Sequence, residues 1–190
     1  MRRAAAAIAA AVLVPALVLA FILVLGGAPA LACSPDIEVR FFEAAEGDLF
    51  MVANNSRDEW SLITLQIDLR GSAGHLIFDT EDGGRGASMH APFAAAGNAV
   101  GLRAAPVVKD GDEIITLSFR KFHAGRDFTF VIHLDDRLEA SDYGQATVSG
   151  AEIVGARATA AFGHADGAQA QARGRFNADG VAHLSGGLCA

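Results

Sequence analysis

Three acids fall within four residues at Asp79, Glu81 and Asp82, in a stretch that follows the apolar Leu76-Ile77-Phe78 and runs into Gly83-Gly84. A hard cation such as calcium takes six to eight oxygen ligands on backbone that can bend. Carboxylates in a glycine-rich loop meet that need, so Asp79, Glu81 and Asp82 are the candidate calcium ligands. Asp110, Asp112 and Glu113 flank a second turn, and Asp135, Asp136, Glu139 and Asp142 crowd a third. None of these groups has the twelve-residue spacing of a helix–loop–helix calcium site. Charged side chains mostly stay in water, so solvated turn acids are the competing reading. Calcium is the one cofactor implied.

The other reactive residue types are scattered. Six histidines occur, at positions 75, 90, 123, 133, 164 and 183, without an H-x-H or H-E-x-x-H pair and with neither cysteine close by. Zinc sites read from sequence need such spacings, which leaves only a site assembled in three dimensions. No serine stands in a G-x-S-x-G elbow. Gly83-Gly84-Arg85-Gly86 lacks the lysine and the strand–loop–helix setting of a phosphate loop. The chain therefore reads as a non-enzyme. The alternative is a small secreted or periplasmic hydrolase whose residues converge only on folding. Clustering of His90, His123 or His133 with carboxylates in one concave pocket would favour that alternative, and a flat surface or open sheet edge would favour binding.

The two cysteines, Cys33 and Cys189, bracket the chain that remains once the leader is set aside. Met1-Arg2-Arg3, an apolar run to Leu25 and Ala30-Leu31-Ala32 give the positive start, apolar middle and small-residue end of a signal peptide over residues 1–32. The apolar run is also long enough for an uncleaved membrane anchor, which needs about 20 residues. Export predicts a secreted or periplasmic location, where paired thiols oxidise. A Cys33–Cys189 disulfide would close nearly the whole mature chain, a constraint of about 5 kcal/mol on the unfolded state. The rival is a lipoprotein anchored at Cys33. Bacterial lipoproteins place leucine three residues before the cysteine and a small residue after it, whereas here Ala30 precedes Leu31.

The elements that would position these groups are strands. Residues 33–190 make a single domain of 158 residues, enough to bury about 70 % of the unfolded surface. Without the two leader arginines the net charge falls from −7 to −9. Such a surface repels phosphate backbones and anionic lipid, which argues against nucleic acid, and against membrane unless Cys33 is lipidated. Period-2 alternation recurs: Ile63, Leu65, Ile67 and Leu69 face one way, as do Ile115, Leu117 and Phe119, and Phe128, Phe130, Ile132 and Leu134, opposite Thr129, Val131 and His133. Residues 168–176 alternate alanine or glycine with Gln169, Gln171, Arg173 and Arg175, between turns at Asp166-Gly167 and Asp179-Gly180. With 156–162 and 181–184 they predict a meander. Turn signals at this spacing predict an all-β antiparallel sandwich or flattened barrel of about nine to ten strands, with its longest loop near 80–96.

Ile67-Asp68-Leu69-Arg70-Gly71-Ser72-Ala73-Gly74, Leu76-Ile77-Phe78-Asp79-Thr80 and Val148-Ser149-Gly150-Ala151-Glu152-Ile153 resemble the short exported proteobacterial proteins named for the core protein of the sponge aggregation factor. The likeness covers most of the mature chain through structural stretches rather than catalytic ones. It implies an extracellular adhesion, assembly or surface-binding module, with self-association, a cell-surface glycan or a protein as partner. In sponges the aggregation factor works with calcium. The resemblance carries over no catalytic residue.

Overall fold

β-branched and aromatic residues spaced two apart, cut by Asp-Gly and Ala-Gly turns, leave the chain little choice but short antiparallel strands. The computed structural model describes residues 35–186, apart from 45–46, 58, 88, 97–99 and 142–143. The leader, Cys33, Cys189 and Asp142 lie outside the described residues. Eleven strands are present among them: β1 (Asp36–Phe42), β2 (Leu49–Asn54), β3 (Ser61–Asp68), β4 (Ile77–Asp79), β5 (Ala94–Ala96), β6 (Ile114–Ser118), β7 (Arg126–Val131), β8 (His133–Asp135), β9 (Arg157–Gly163), β10 (Gln169–Arg175) and β11 (Val181–Ser185). One helical turn, α1 (Gly150–Ile153), precedes β9. The Glu152 carboxylate accepts the Ser149 backbone N–H at 2.6 Å and its hydroxyl at 2.9 Å, which starts that turn.

Nine strands form one antiparallel sheet in the order β5-β7-β2-β1-β11-β10-β9-β3-β6, and β4 and β8 form a separate two-stranded ribbon. The predicted meander is β9-β10-β11. The sheet curls. Residues 119–125 lead from β6 at one edge to β7 near the other, and Leu62 N donates to Phe122 O at 2.9 Å while Gly125 N donates to Asn54 O at 2.7 Å. Asn54, 1 % exposed, donates its side-chain amide to Phe122 O at 2.9 Å and to Trp60 O at 3.3 Å. Phe119 meets Phe128 edge-on, with ring centroids 5.5 Å apart.

The core is a single cluster. Phe41, Phe50 and Phe130 are register partners across β1, β2 and β7, and their rings lie 5.3 and 5.0 Å apart in turn. Strands β3 and β6 add Leu62, Leu65, Ile67, Ile115 and Leu117, and small buried residues stand at Ala158 and Ala160 on β9, Ala172 on β10 and Ala182 on β11.

Two details differ from the alternation read in the sequence. A β-bulge between Leu62 and Thr64 puts Leu62, Leu65 and Ile67 in the core, so Ile63 is turned outward and 36 % exposed. A bulge adds one residue to one strand and flips the pattern beyond it. His133 is buried rather than wet, because the segment 80–93 and Asp48 cover its face of the ribbon. Among the described residues no helix is long and apolar enough to cross a membrane.

Phe128 touches rings on both limbs of the curl, so Phe128→Ala should cost about 3–5 kcal/mol of unfolding free energy. Denaturant unfolding followed by Trp60 fluorescence measures it. A loss under 1 kcal/mol would mean that the two limbs do not share one core.

Candidate functional site

Two places gather side chains able to do chemistry. The first is the ribbon. Asp79 of β4 pairs directly with His133 of β8, and Phe78 with Leu134. Directly opposed residues share a face, and Asp135, two residues beyond His133, lies on that face too. Asp48, just before β2, reaches the same place: its Oδ2 accepts Leu134 N at 2.8 Å and stands 3.7 Å from His133 Nδ1. The other ring nitrogen, Nε2, lies 3.3 Å from Asp135 Oδ1. Asp48, Asp79, His133 and Asp135 are each 1 % exposed.

A loop closes the cluster. Ala91 N donates to Asp79 O at 3.2 Å, and His133 N donates to Ala91 O at 3.0 Å. Ala87 N donates to Asp135 Oδ2. Gly86 lies so close that a Cβ there would fall 2.0 Å from Asp79 Oδ2 and 2.3 Å from Asp135 Oδ2. Asp110 ties the loop from outside by accepting Thr80 N at 3.1 Å and Arg85 N.

The electrostatics follow from the burial. Loss of water pushes the Asp48 carboxyl up to about 7 against the Leu134 N–H and His133, which favour its ionised form. Burial, then the Asp110 and Asp135 carboxyls beside it, push Asp79 up to about 6. Burial works against a charged His133, but Asp135, Asp48 and Asp79 outweigh it and hold the ring above its ordinary value. Burial alone would raise Asp110, yet the Arg85 and Thr80 N–H groups hold it below the usual carboxylate range. Asp79 Oδ1, Asp135 Oδ1 and both ring nitrogens of His133 are buried without a hydrogen bond. Such groups are rare and each costs about 1–3 kcal/mol when left unpaired. As the side chains stand, no group of three or more His, Cys, Asp or Glu among the described residues is set to hold a metal ion.

The second place is an open cleft of about 670 Å³ beside β3, β6 and β9. Ile63, 36 % exposed, gives it an apolar side, Arg103 and Arg120 line it with positive charge, and Ser61, His123 and His164 supply polar groups, with Glu59 the one acid among its described lining residues. Ser61 Oγ and His123 Nδ1 are 2.7 Å apart, a hydrogen bond on exposed ground. Arg103 Nε donates to Phe119 O at 3.1 Å, which fixes its guanidinium. Among the described residues neither arginine is in an ion pair. His164 packs on Trp60, ring centroids 5.0 Å apart, and its Nδ1 lies 2.8 Å from Asp166 Oδ1.

Of the three acids read as calcium ligands, Asp79 is buried in β4, whereas Glu81 and Asp82 are exposed in the turn after it. The structure brings Asp79 together with Asp48, Asp135 and His133 instead. Of the other turn acids, Asp135 and Asp136 are buried, Asp110 and Asp112 half-buried, and Glu113 and Glu139 exposed. His123 lies in the cleft with Glu59, His133 lies buried with three aspartates, and His90 is exposed. The Ser61–His123 pair spans 62 residues and had no local sequence signal. No family model, no curated protein and no solved structure matches the chain.

Because its backbone touches both carboxyls, Gly86→Ala should destabilise the fold by about 1–3 kcal/mol, as overpacking does. It should also speed amide exchange at Ala87 and Ala91. Unchanged exchange there would mean that the loop does not rest on the two aspartates.

Proposed function

We propose that this chain is an exported, non-enzymatic binding module, a β-sandwich or flattened barrel, and that its cleft takes an acidic saccharide of a cell surface or matrix. One observation carries the reading: on a chain of net charge −7, two arginines without carboxylate partners among the described residues stand at a cleft of about 670 Å³. Arginine forks match carboxylate and sulfate oxygens two bonds at a time. The exposed Ile63 side chain suits the apolar face of a sugar ring, and Ser61 and His123 suit its hydroxyls. An adhesion or assembly role fits such a ligand.

The Ser61–His123 hydrogen bond favours a second reading, ester hydrolysis with Ser61 as nucleophile and His123 as its base. Among the described residues no carboxylate is bonded to His123 to orient it. A serine-directed fluorophosphonate separates the two readings. Labelling at Ser61, lost in Ser61→Ala, would replace the binding module by a hydrolase.

Binding should be read by calorimetry with uronate-bearing or sulfated oligosaccharides at low salt. Arg103→Ala with Arg120→Ala should weaken it at least tenfold, and Arg157→Ala, at the opposite end of β9 from the cleft's Gly163, should leave it unchanged. Raising salt to about 0.5 M should also weaken it, since exposed charges are screened. Equal affinity for a neutral glucan, or no binding of either, would overturn the reading.

Export carries with it cleavage before Cys33 and a Cys33–Cys189 disulfide. The ends of the described chain support the bridge: Asp36 pairs with Ser185 in the β1/β11 ladder, and Gly186 N donates to Pro35 O at 3.1 Å. The cysteines are two residues beyond one of these positions and three beyond the other. Exported protein should show no free thiol until reduced and then two per chain. A diacylglyceryl mass on Cys33 would replace the bridge by a lipid anchor.

A further inference from the structure

We propose that the saccharide path does not end at the cleft: a groove along the outward face of β9 carries a linear acidic polysaccharide onward to an anion subsite of Arg157, Arg173 and Arg175. The inference rests on the saccharide reading of the cleft, because groove and cleft join at Ile63.

Strand β9 lies between β3 and β10 in the sheet. Its buried residues are Ala158, Ala160 and Phe162, so Arg157, Thr159, Ala161 and Gly163 face outward. All but the arginine are small. The flanking strands present longer side chains on the same face, Gln66 on β3 and Gln169, Gln171, Arg173 and Arg175 on β10. Long residues on both sides of a row of small ones leave a groove. Next to the cleft it is a trough of about 410 Å³, where Ala161 lies between its register partners Thr64 and Gln171. Ile63 leans over Gly163, where a Cβ would fall 2.9 Å from Ile63 Cδ1, and so borders both cleft and trough.

The far end is positive. Arg175 stands directly opposite Arg157 in register, and Arg173, two residues along β10, shares their face. Like charges opposed across two strands are destabilising, and an anion between them removes that cost. Among the described residues none of the three is in an ion pair. Asp68 is the partner of Arg157 on its other side, but Arg70 already holds it, Nε to Oδ1 at 2.9 Å and Nη2 to Oδ2 at 2.7 Å. Guanidinium forks take carboxylate or sulfate oxygens two bonds at a time.

Between the two ends the lining is polar and uncharged. The amides of Gln66, Gln169 and Gln171 and the hydroxyls of Thr64 and Thr159 both donate and accept, as sugar hydroxyls do. An acidic polypeptide would use the arginines but has no hydroxyls to offer that stretch. Strand β9 spans about 20 Å, so only a chain of several rings reaches from the cleft to Arg157. Such a chain, once held at one end, meets the other end at high effective concentration. An oligosaccharide short enough to sit in the cleft leaves Arg157 untouched.

Calorimetry on the full exported chain should compare digalacturonate with a galacturonate oligomer just long enough to span cleft and arginines. The long oligomer should bind at least tenfold more tightly. Arg157→Ala with Arg175→Ala should remove that gain while digalacturonate binds as to the parent. Thr159→Tyr, which fills the groove with a residue that strands accept, should do the same. Oligoglutamate of equal length should bind at least tenfold more weakly than the long galacturonate. If digalacturonate binds through Arg103 and Arg120 but the long oligomer binds no more tightly, the groove is overturned and the cleft reading stands. If the long oligomer binds through Arg157 and Arg175 while digalacturonate does not bind, the cleft reading fails and the arginine subsite stands. Equal binding of oligoglutamate would overturn the polysaccharide in favour of an acidic polypeptide.

Discussion

A nine-stranded antiparallel sheet has an interior only if its two ends come together, and here they do so around Asn54. Its side-chain amide bonds the Trp60 and Phe122 carbonyls, the second of which also accepts Leu62 N, and its own carbonyl takes Gly125 N. A buried amide costs free energy unless every group finds a partner. This polar clasp therefore specifies one closure where apolar contacts alone would tolerate several. The Phe119–Phe128 contact lies on the same seam. With the seam closed, the phenylalanines of β1, β2 and β7 and the alanines of β9 to β11 share a core, and the cleft opens along its outer lip at Ser61 and His123.

The closure also explains why β7 and β8 are separate strands in one run of alternating residues. Phe128 and Phe130 stay in the large sheet, while Leu134 belongs to the ribbon with β4. At Ile132 the backbone leaves the sheet, and its N–H goes to Asp48 O at 3.0 Å rather than to a ladder partner. Asp48 thus does two things with one residue. Its carbonyl ends β7, and its carboxylate opens β8 by taking Leu134 N. Burial of a carboxylate there is a consequence of how the strand changes partners.

Much of the architecture was legible in the sequence, because it rests on local patterns. The 168–176 alternation gave β10 despite its alanine content, and the flanking Asp-Gly turns placed the β9-β10-β11 meander. The chemistry was less legible. Glu81 and Asp82 adjoin Asp79 in sequence but point to water, because β4 ends at Asp79 and the chain turns outward. The true neighbours come from 31 residues before and about 55 after, brought in by the ribbon register. A period-2 pattern assigns His133 to the wet face, and only the covering loop makes that face dry. The one local hint was Gly86, whose backbone had to approach something closely. Ile63 shows the same limit on a smaller scale, since a single bulge reverses which residues face the core.

Charge is distributed in a way that separates two kinds of chemistry. The acids outnumber the bases, 22 to 15, yet among the described residues the arginines at the cleft form no ion pair with them while aspartates collect under the covering loop. Neither outcome is what surface electrostatics alone would select. Free arginines beside an acidic surface tend to pair with it, and carboxylates tend to stay wet. At the cleft, Arg103 is held instead by a carbonyl, Phe119 O, so its guanidinium keeps its charge available outward. Under the loop, Asp110 is the counterpart: it stays ionised by taking backbone N–H groups from Thr80 and Arg85, and so fixes the loop without an opposite charge. In both places a main-chain group does the work an ion pair would otherwise do. That leaves the side-chain charge uncompensated where a ligand of the opposite sign can meet it.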